Sequence, residues 1–75
     1  MISKSVLHKR LNKAIGQEID EKKFSMFFLR FCEVYGVSEK VKNAHQLDDD
    51  TVMAFSEYAG YDLRFPIPLP LTAKK

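Results

Sequence analysis

The chain has 75 residues, of which 45 % are hydrophobic and 29 % charged, and its net charge is +2. This length allows one domain with a small core, the apolar fraction excludes a disordered chain, and the charge is too small to imply a polyanionic partner by itself. Cys32 is the only cysteine, so the chain has no internal disulfide framework. No apolar stretch approaches the ~20 residues of a membrane span. We therefore expect a soluble cytoplasmic protein.

The first predicted helix covers about residues 5–17, where apolar residues recur at helical spacing and Gly16 stands at the end. Its opposite side is basic. Residues 1–17 contain no acid and hold four of the basic residues, which are Lys4, Lys9, Arg10 and Lys13. Such a face could contact phosphates or an acidic protein surface, or it could be an ordinary solvated helix face.

The second predicted helix begins at the N-cap residue Asp20 and ends at Gly36. Its sequence includes KKFSMFFLRFCEVY, which is apolar on more than one side. A helix of this kind normally lies centrally with neighbours on both flanks, although a dimer could bury its second side instead. We expect this Phe-rich helix to form the centre of the fold.

A short third helix is predicted after Ser38, and the junction before it has the sequence FCEVYGVSEKVKNA. This junction resembles the turn of helix-turn-helix DNA-binding proteins, with Cys32 at the small buried position and Gly36 in the turn. The motif has an apolar residue where this chain has Lys42, since Val41 lies one residue early. The resemblance implies a DNA-contacting unit at residues 24–45, and the other interpretation is an ordinary glycine-capped joint between two helices.

The fourth predicted helix begins at Asp48 and ends at Gly60. Carboxylates at residues 48–50 suit the N-cap and the positive end of the helix dipole, and their spacing is not that of a calcium-binding loop. His8, Cys32 and His45 do not have the spacing of paired metal ligands. We expect no metal, no cofactor and no enzymatic activity.

An extended C-terminal strap is predicted for residues 65–75, separate from a helical domain at residues 1–64. Three prolines alternate with apolar residues in FPIPLPL and prevent a helix there. In an extended chain the prolines share one face and one edge, and only the other edge carries N–H donors, so the strap can pair along one edge only. The opposite face carries Phe65, Ile67, Leu69 and Leu71. The strap either completes the core or binds a partner by strand addition or groove docking.

These patterns predict an all-α fold in which three to four short helices surround the Phe-rich helix and the strap follows. The predicted function is that of a small non-enzymatic regulatory protein that binds another protein, first of all a second copy of itself in a homodimer. Its predicted contact residues are Phe65, Ile67, Leu69 and Leu71. The alternative is a DNA-binding protein that uses Lys4, Lys9, Arg10, Lys13, Lys40 and Lys42. We expect neither a membrane partner nor a small-molecule substrate.

Overall fold

The computed structural model describes residues 1–71 of the chain. Within this range the chain forms four helices, which are α1 (Lys4–Ile15), α2 (Glu21–Tyr35), α3 (Glu39–Lys42) and α4 (Asp49–Ala59). Four two-residue strands lie between and beyond them, which are β1 (Ile2–Ser3), β2 (Gln46–Leu47), β3 (Tyr61–Asp62) and β4 (Leu69–Pro70). No helix in this described range is long and apolar enough to cross a membrane.

The prediction of a small, mostly helical fold is confirmed, but the description as all-α is too narrow. Strands β1 and β2 pair antiparallel, and so do β3 and β4. Each strand is only two residues long, so none carries the alternating pattern that predicts a strand from sequence. The β1–β2 pair forms because the helices bring the start of the chain beside residues 46–47, whereas β3 and β4 are close in sequence and pair as a hairpin.

The helix ends follow local sequence. Asp20 accepts a hydrogen bond from the Lys23 backbone N–H at 2.8 Å, and Asp48 accepts one from Thr51 at the same distance. The glycines that follow α1, α2 and α4 all have left-handed backbone angles, with φ between 64° and 88°. The predicted N-caps at Asp20 and Asp48 and the three predicted helix ends are therefore confirmed.

The core is built around Phe55 of α4, which is fully buried. Its ring lies 5.1–6.0 Å from the rings of four phenylalanines on α2, which are Phe24, Phe27, Phe28 and Phe31. Helix α1 adds the buried side chains of Leu7 and Leu11. The Phe-rich helix is thus a main contributor to the core, as predicted.

One side of α2 is not covered by the rest of the chain. Met26 and Val34 have exposed fractions of 63 % and 62 %. Within residues 1–71, α2 has neighbours in α1, where His8 stacks on Phe24, and in α4, where Phe55 meets the same ring. The dimer alternative stays a prediction.

The chain beyond α4 folds back on itself as a C-terminal hairpin, which we define as residues 61–71. Tyr61 pairs with Pro70 and Asp62 with Leu69, and the Leu71 N–H donates to the Gly60 carbonyl at 3.0 Å. Residues 63–68 form the loop between the strands. The predicted strap thus forms the returning half of a hairpin, and its residues 72–75 lie outside the described part of the chain.

Candidate functional site

The C-terminal hairpin is fixed to the helices at Leu63, whose side chain is fully buried. The Leu63 N–H donates to the Ser56 Oγ at 3.0 Å, and this hydroxyl donates in turn to the Val52 carbonyl at 2.8 Å. Arg10 Nη1 donates to the Leu63 carbonyl at 3.2 Å and to the Arg64 carbonyl at 2.8 Å. Both backbone groups of Leu63 are therefore paired, which holds the start of the hairpin in one position.

This attachment is not predicted by the sequence pattern. Ser56 lies in the middle of the inward stripe of α4, next to Phe55, and it is the only buried polar residue of the described chain. A polar residue in an apolar stripe is the signal that could have identified it, since a buried hydroxyl needs partners. The hydrogen bonds of Arg10 had no sequence signal, because they join residues 53 and 54 positions apart.

An ion pair fixes the first bend of the hairpin. Arg64 Nε donates to Asp62 Oδ1 and Arg64 Nη2 donates to Asp62 Oδ2, both at 2.9 Å. The hydrogen bonds from Arg64 hold the pKa of the Asp62 carboxyl below its usual value. The guanidinium also lies 5.1 Å from the centre of the Phe65 ring. The bend therefore orients Phe65 away from the core.

The apolar side chains of the strap are exposed rather than packed. The exposed fractions of Phe65, Ile67, Leu69 and Leu71 are 56 %, 69 %, 63 % and 40 %. The interpretation in which these residues complete the core is therefore wrong. Leu63 fills that role instead, because it belongs to the buried cluster, against which Tyr61 of the hairpin also packs.

The hydrogen-bonding edge of the strap is already used within the chain. Leu69 and Leu71 present their N–H groups to the β3 side, where Asp62 and Gly60 lie. The other edge carries the nitrogens of Pro66, Pro68 and Pro70, which have no hydrogen to donate. Pairing along one edge was predicted, and that pairing occurs in this chain. A partner can therefore contact this hairpin only through its side chains and outward carbonyl groups.

Two of the predicted DNA-contacting residues have structural roles. Lys4 Nζ donates to the Lys42 carbonyl and lies 4.6 Å from the centre of the Phe28 ring. Burial lowers the pKa of this lysine. Arg10 is used in attaching the hairpin, as described above.

The remaining basic residues lie in more than one place, since Lys9 and Lys13 line a cavity with Arg10, and Lys42 lines another with Lys4. Lys9 and Lys13 are exposed on α1, Lys40 is exposed on α3, and Lys42 lies 3.8 Å from Glu39. Helix α3 has only four residues, which is about one turn. DNA binding stays a prediction, and a one-turn helix presents few side chains to a groove.

Cys32 is buried in α2, and this burial raises the pKa of its thiol. Nearby Lys42 and Lys4 act in the opposite direction with smaller effects. The thiol therefore stays protonated at neutral pH, which makes it a poor nucleophile.

No family model, curated protein or solved structure matches the chain. Similarity to known proteins therefore assigns neither a family nor a function. The candidate site is the C-terminal hairpin, and its assignment depends on the exposure and attachment of its residues.

Proposed function

We propose that the protein is a small non-enzymatic regulatory protein that binds other proteins through its C-terminal hairpin and also self-associates. One observation supports this proposal above all. The hairpin exposes Phe65, Ile67 and Leu69 by more than half of each side chain, although its backbone is held to the helices. Large apolar groups that are both exposed and fixed are typical of a protein-interaction site.

The attachment of the hairpin favours binding because it lowers the entropic cost. A free apolar tail would lose backbone freedom when it bound a partner, and that loss would weaken the complex. Here the hydrogen bonds at Leu63 and the ion pair between Asp62 and Arg64 order the segment beforehand. The backbone that carries the apolar side chains therefore has one conformation before it binds a partner.

The geometry favours docking of side chains into an apolar groove of the partner. Strand addition needs a free edge with both donors and acceptors, and the free edge of β4 carries prolines. Alternating prolines also keep the backbone extended, which spaces the apolar side chains regularly along the segment. We therefore propose that Phe65, Ile67 and Leu69 are the main anchors.

The test is site-specific photo-crosslinking in cells that express the protein. A photoreactive amino acid replaces Ile67 in one variant and the exposed Gln17 of the α1–α2 connection in the control. We expect a protein adduct from position 67 that the control lacks. The adduct partner, once identified and purified, should bind the wild-type chain and lose most of its affinity for Ile67→Ser.

Two results would overturn the proposal. One is an absence of any adduct specific to position 67. The other is salt-sensitive binding of duplex DNA that Lys9→Ala and Lys13→Ala abolish while Ile67→Ser does not. That second result would favour the DNA-binding alternative, since phosphate contacts give affinity a steep salt dependence.

A further inference from the structure

A groove of about 360 Å³ runs between α2 and α4, away from the hairpin. Its lining consists of Lys23, Met26, Phe27, Arg30 and Tyr58. Met26 is 63 % exposed, and Val34 continues the same side of α2 with 62 % exposed. This face therefore combines an apolar floor with exposed apolar residues on its rim.

The two helices that form the groove carry opposite charges on their exposed sides, although only the basic residues of α2 line the groove itself. Lys23 and Arg30 lie on the α2 rim. Helix α4 contains no basic residue, and its exposed Asp50 and Glu57 lie seven positions apart on one side of the helix. Within residues 1–71 none of these four charged groups forms an ion pair. Each helix thus presents charges that a second surface could neutralise.

The aromatic contacts fix how the two helices are aligned. The rings of Phe28 and Phe55 lie 5.5 Å apart, and those of Phe31 and Tyr58 lie 5.8 Å apart. Both pairs join residues 27 positions apart, which lies between the offsets of the closer pairs Phe27–Tyr58 and Phe31–Phe55. Phe24 near the start of α2 contacts Phe55 and Tyr35 at its end contacts Tyr58, so the two helices run the same way along the contact. Extending this alignment by about one turn places Lys23 beside Asp50 and Arg30 beside Glu57 along the groove axis.

We infer that the α2–α4 face binds the same face of a second copy of this chain, with α2 of each copy lying over α4 of the other. This inference rests on the proposed function, of which self-association is a part. A two-fold axis along the groove places Arg30 opposite Glu57 of the second copy and Lys23 opposite Asp50 of the second copy. A two-fold axis across the groove would instead bring Lys23 against Arg30, and like charges oppose such contact.

The size of the protein fits such an interface. A stable complex takes about 800 Å² of surface from each partner, and this chain has 5198 Å² of accessible surface. The second copy would cover Met26 and Val34, the exposed apolar residues of α2. The hairpin does not line this groove, and its residue Pro66 lines a different cavity together with Val6 and Lys13 of α1. A dimer through the groove therefore leaves both hairpins open to other partners.

The test is sedimentation equilibrium of the full chain with a charge exchange across the interface. Arg30→Glu and Glu57→Arg each turn both symmetric attractions into repulsions, so each alone should raise the dimer Kd at least about tenfold. The double variant Arg30→Glu/Glu57→Arg should recover the wild-type Kd, and so should an equimolar mixture of the two single variants. Lys13→Glu on α1 is the matched control and should leave the Kd unchanged. All three substituted positions are exposed, so circular dichroism should show native helix content throughout.

Three results would overturn the inference. A wild-type chain that stays monomeric at high concentration excludes the dimer, while crosslinking from Ile67 to another protein would still support the proposed function. A dimer that Arg30→Glu strengthens indicates the arrangement with α2 on α2. A dimer that is insensitive to Arg30→Glu and is lost with Ile67→Ser assigns self-association to the hairpin.

Discussion

The two strand pairs of this protein have the same size and opposite roles. In the β1–β2 pair, Ile2 lies opposite Leu47, and the Leu47 side chain is 1 % exposed. In the β3–β4 pair, Leu69 lies opposite Asp62, and the Leu69 side chain is 63 % exposed. Both pairs are antiparallel and two residues long. One closes the core, and the other holds apolar residues outside it.

This difference shows that a backbone pairing does not by itself determine what its side chains do. Leu47 of the β1–β2 pair belongs to the core cluster and Ile2 packs against it, and the Lys4 N–H extends the pair by donating to the His45 carbonyl at 2.9 Å. The hairpin leaves the core after Leu63, because the Asp62–Arg64 ion pair turns the chain outward there. The buried residue Leu47 lies within the β1–β2 pair, whereas the buried residue Leu63 lies in the loop of the hairpin, outside both of its strands. The first pair therefore packs in the core, and the second leaves the side chains of β4 exposed.

The largest expected effect compares the two leucines directly. Leu47→Ala should lower the free energy of unfolding by about 3 kcal/mol, because it leaves a cavity in the core. A core of this size supplies only ~3–5 kcal/mol in total, so much of this variant should be unfolded at 25 °C. Leu69→Ala should change the same free energy by less than about 0.5 kcal/mol. Urea denaturation followed by circular dichroism measures both, and equal losses would contradict the comparison.

The next effect concerns the attachment of the hairpin. Ser56→Ala removes the acceptor of the Leu63 N–H and leaves this group buried without a partner, which should cost about 2 kcal/mol. The exposed Ser25 is the matched control, and Ser25→Ala should cost less than about 0.5 kcal/mol. Urea denaturation gives both values. Similar values for the two variants would show that Ser56 does not hold the hairpin.

A smaller and local effect is expected at Arg10. Arg10→Met removes two hydrogen bonds to the hairpin carbonyls at its half-buried position, worth about 1 kcal/mol. The amides of Leu69 and Leu71 should then exchange with deuterium about fivefold faster. Lys9→Met removes the same charge from the neighbouring exposed position and should leave these rates unchanged. An effect of equal size in both variants would indicate a general charge effect.

The smallest effect should appear at low pH. The pKa of Asp62 is lowered in the folded protein, so the ion pair stabilises the hairpin above the unfolded value of about 3.9. That stabilisation should be lost as the pH falls from about 4 through the lowered pKa. Arg64 is 43 % exposed, so solvent screening keeps this contribution small.

The NMR shifts of the Leu69 methyl groups report this transition, since Leu69 pairs with Asp62. Asp62→Asn keeps the shape of the side chain and removes its charge. The wild-type shifts should change below about pH 4, and those of the variant should not. A transition of equal size in the variant would assign the pH response to another group.

The sequence predicted those features that depend on neighbouring residues. Asp20 and Asp48 cap their helices, and Gly36 ends α2, because capping needs only a few adjacent positions. The prolines likewise determined the extended conformation and the single donor edge of the strap. The buried stripe with Phe28 and Phe31 followed from helical spacing.

The remaining features depend on contacts between distant residues. The pairing of Ile2 with Leu47 and the hydrogen bonds from Arg10 to the hairpin had no local pattern to predict them. Lys4 resembled a surface base in the sequence, yet it lies over Phe28 and donates to the Lys42 carbonyl. Such roles arise from the packing of helices, which the order of residues along the chain does not show. From their sequence positions alone, Lys4 and Arg10 were therefore predicted to lie on a basic face that could contact phosphates.

The proline edge of β4 has a further consequence for the protein at high concentration. An exposed strand with apolar side chains would ordinarily recruit strands from other copies and extend into a filament. A copy that approached this edge would meet carbonyl groups without matching N–H donors, so each added strand would lack half of its hydrogen bonds. The prolines therefore cap the sheet and allow the hairpin to display Ile67 and Leu69 without nucleating fibrils.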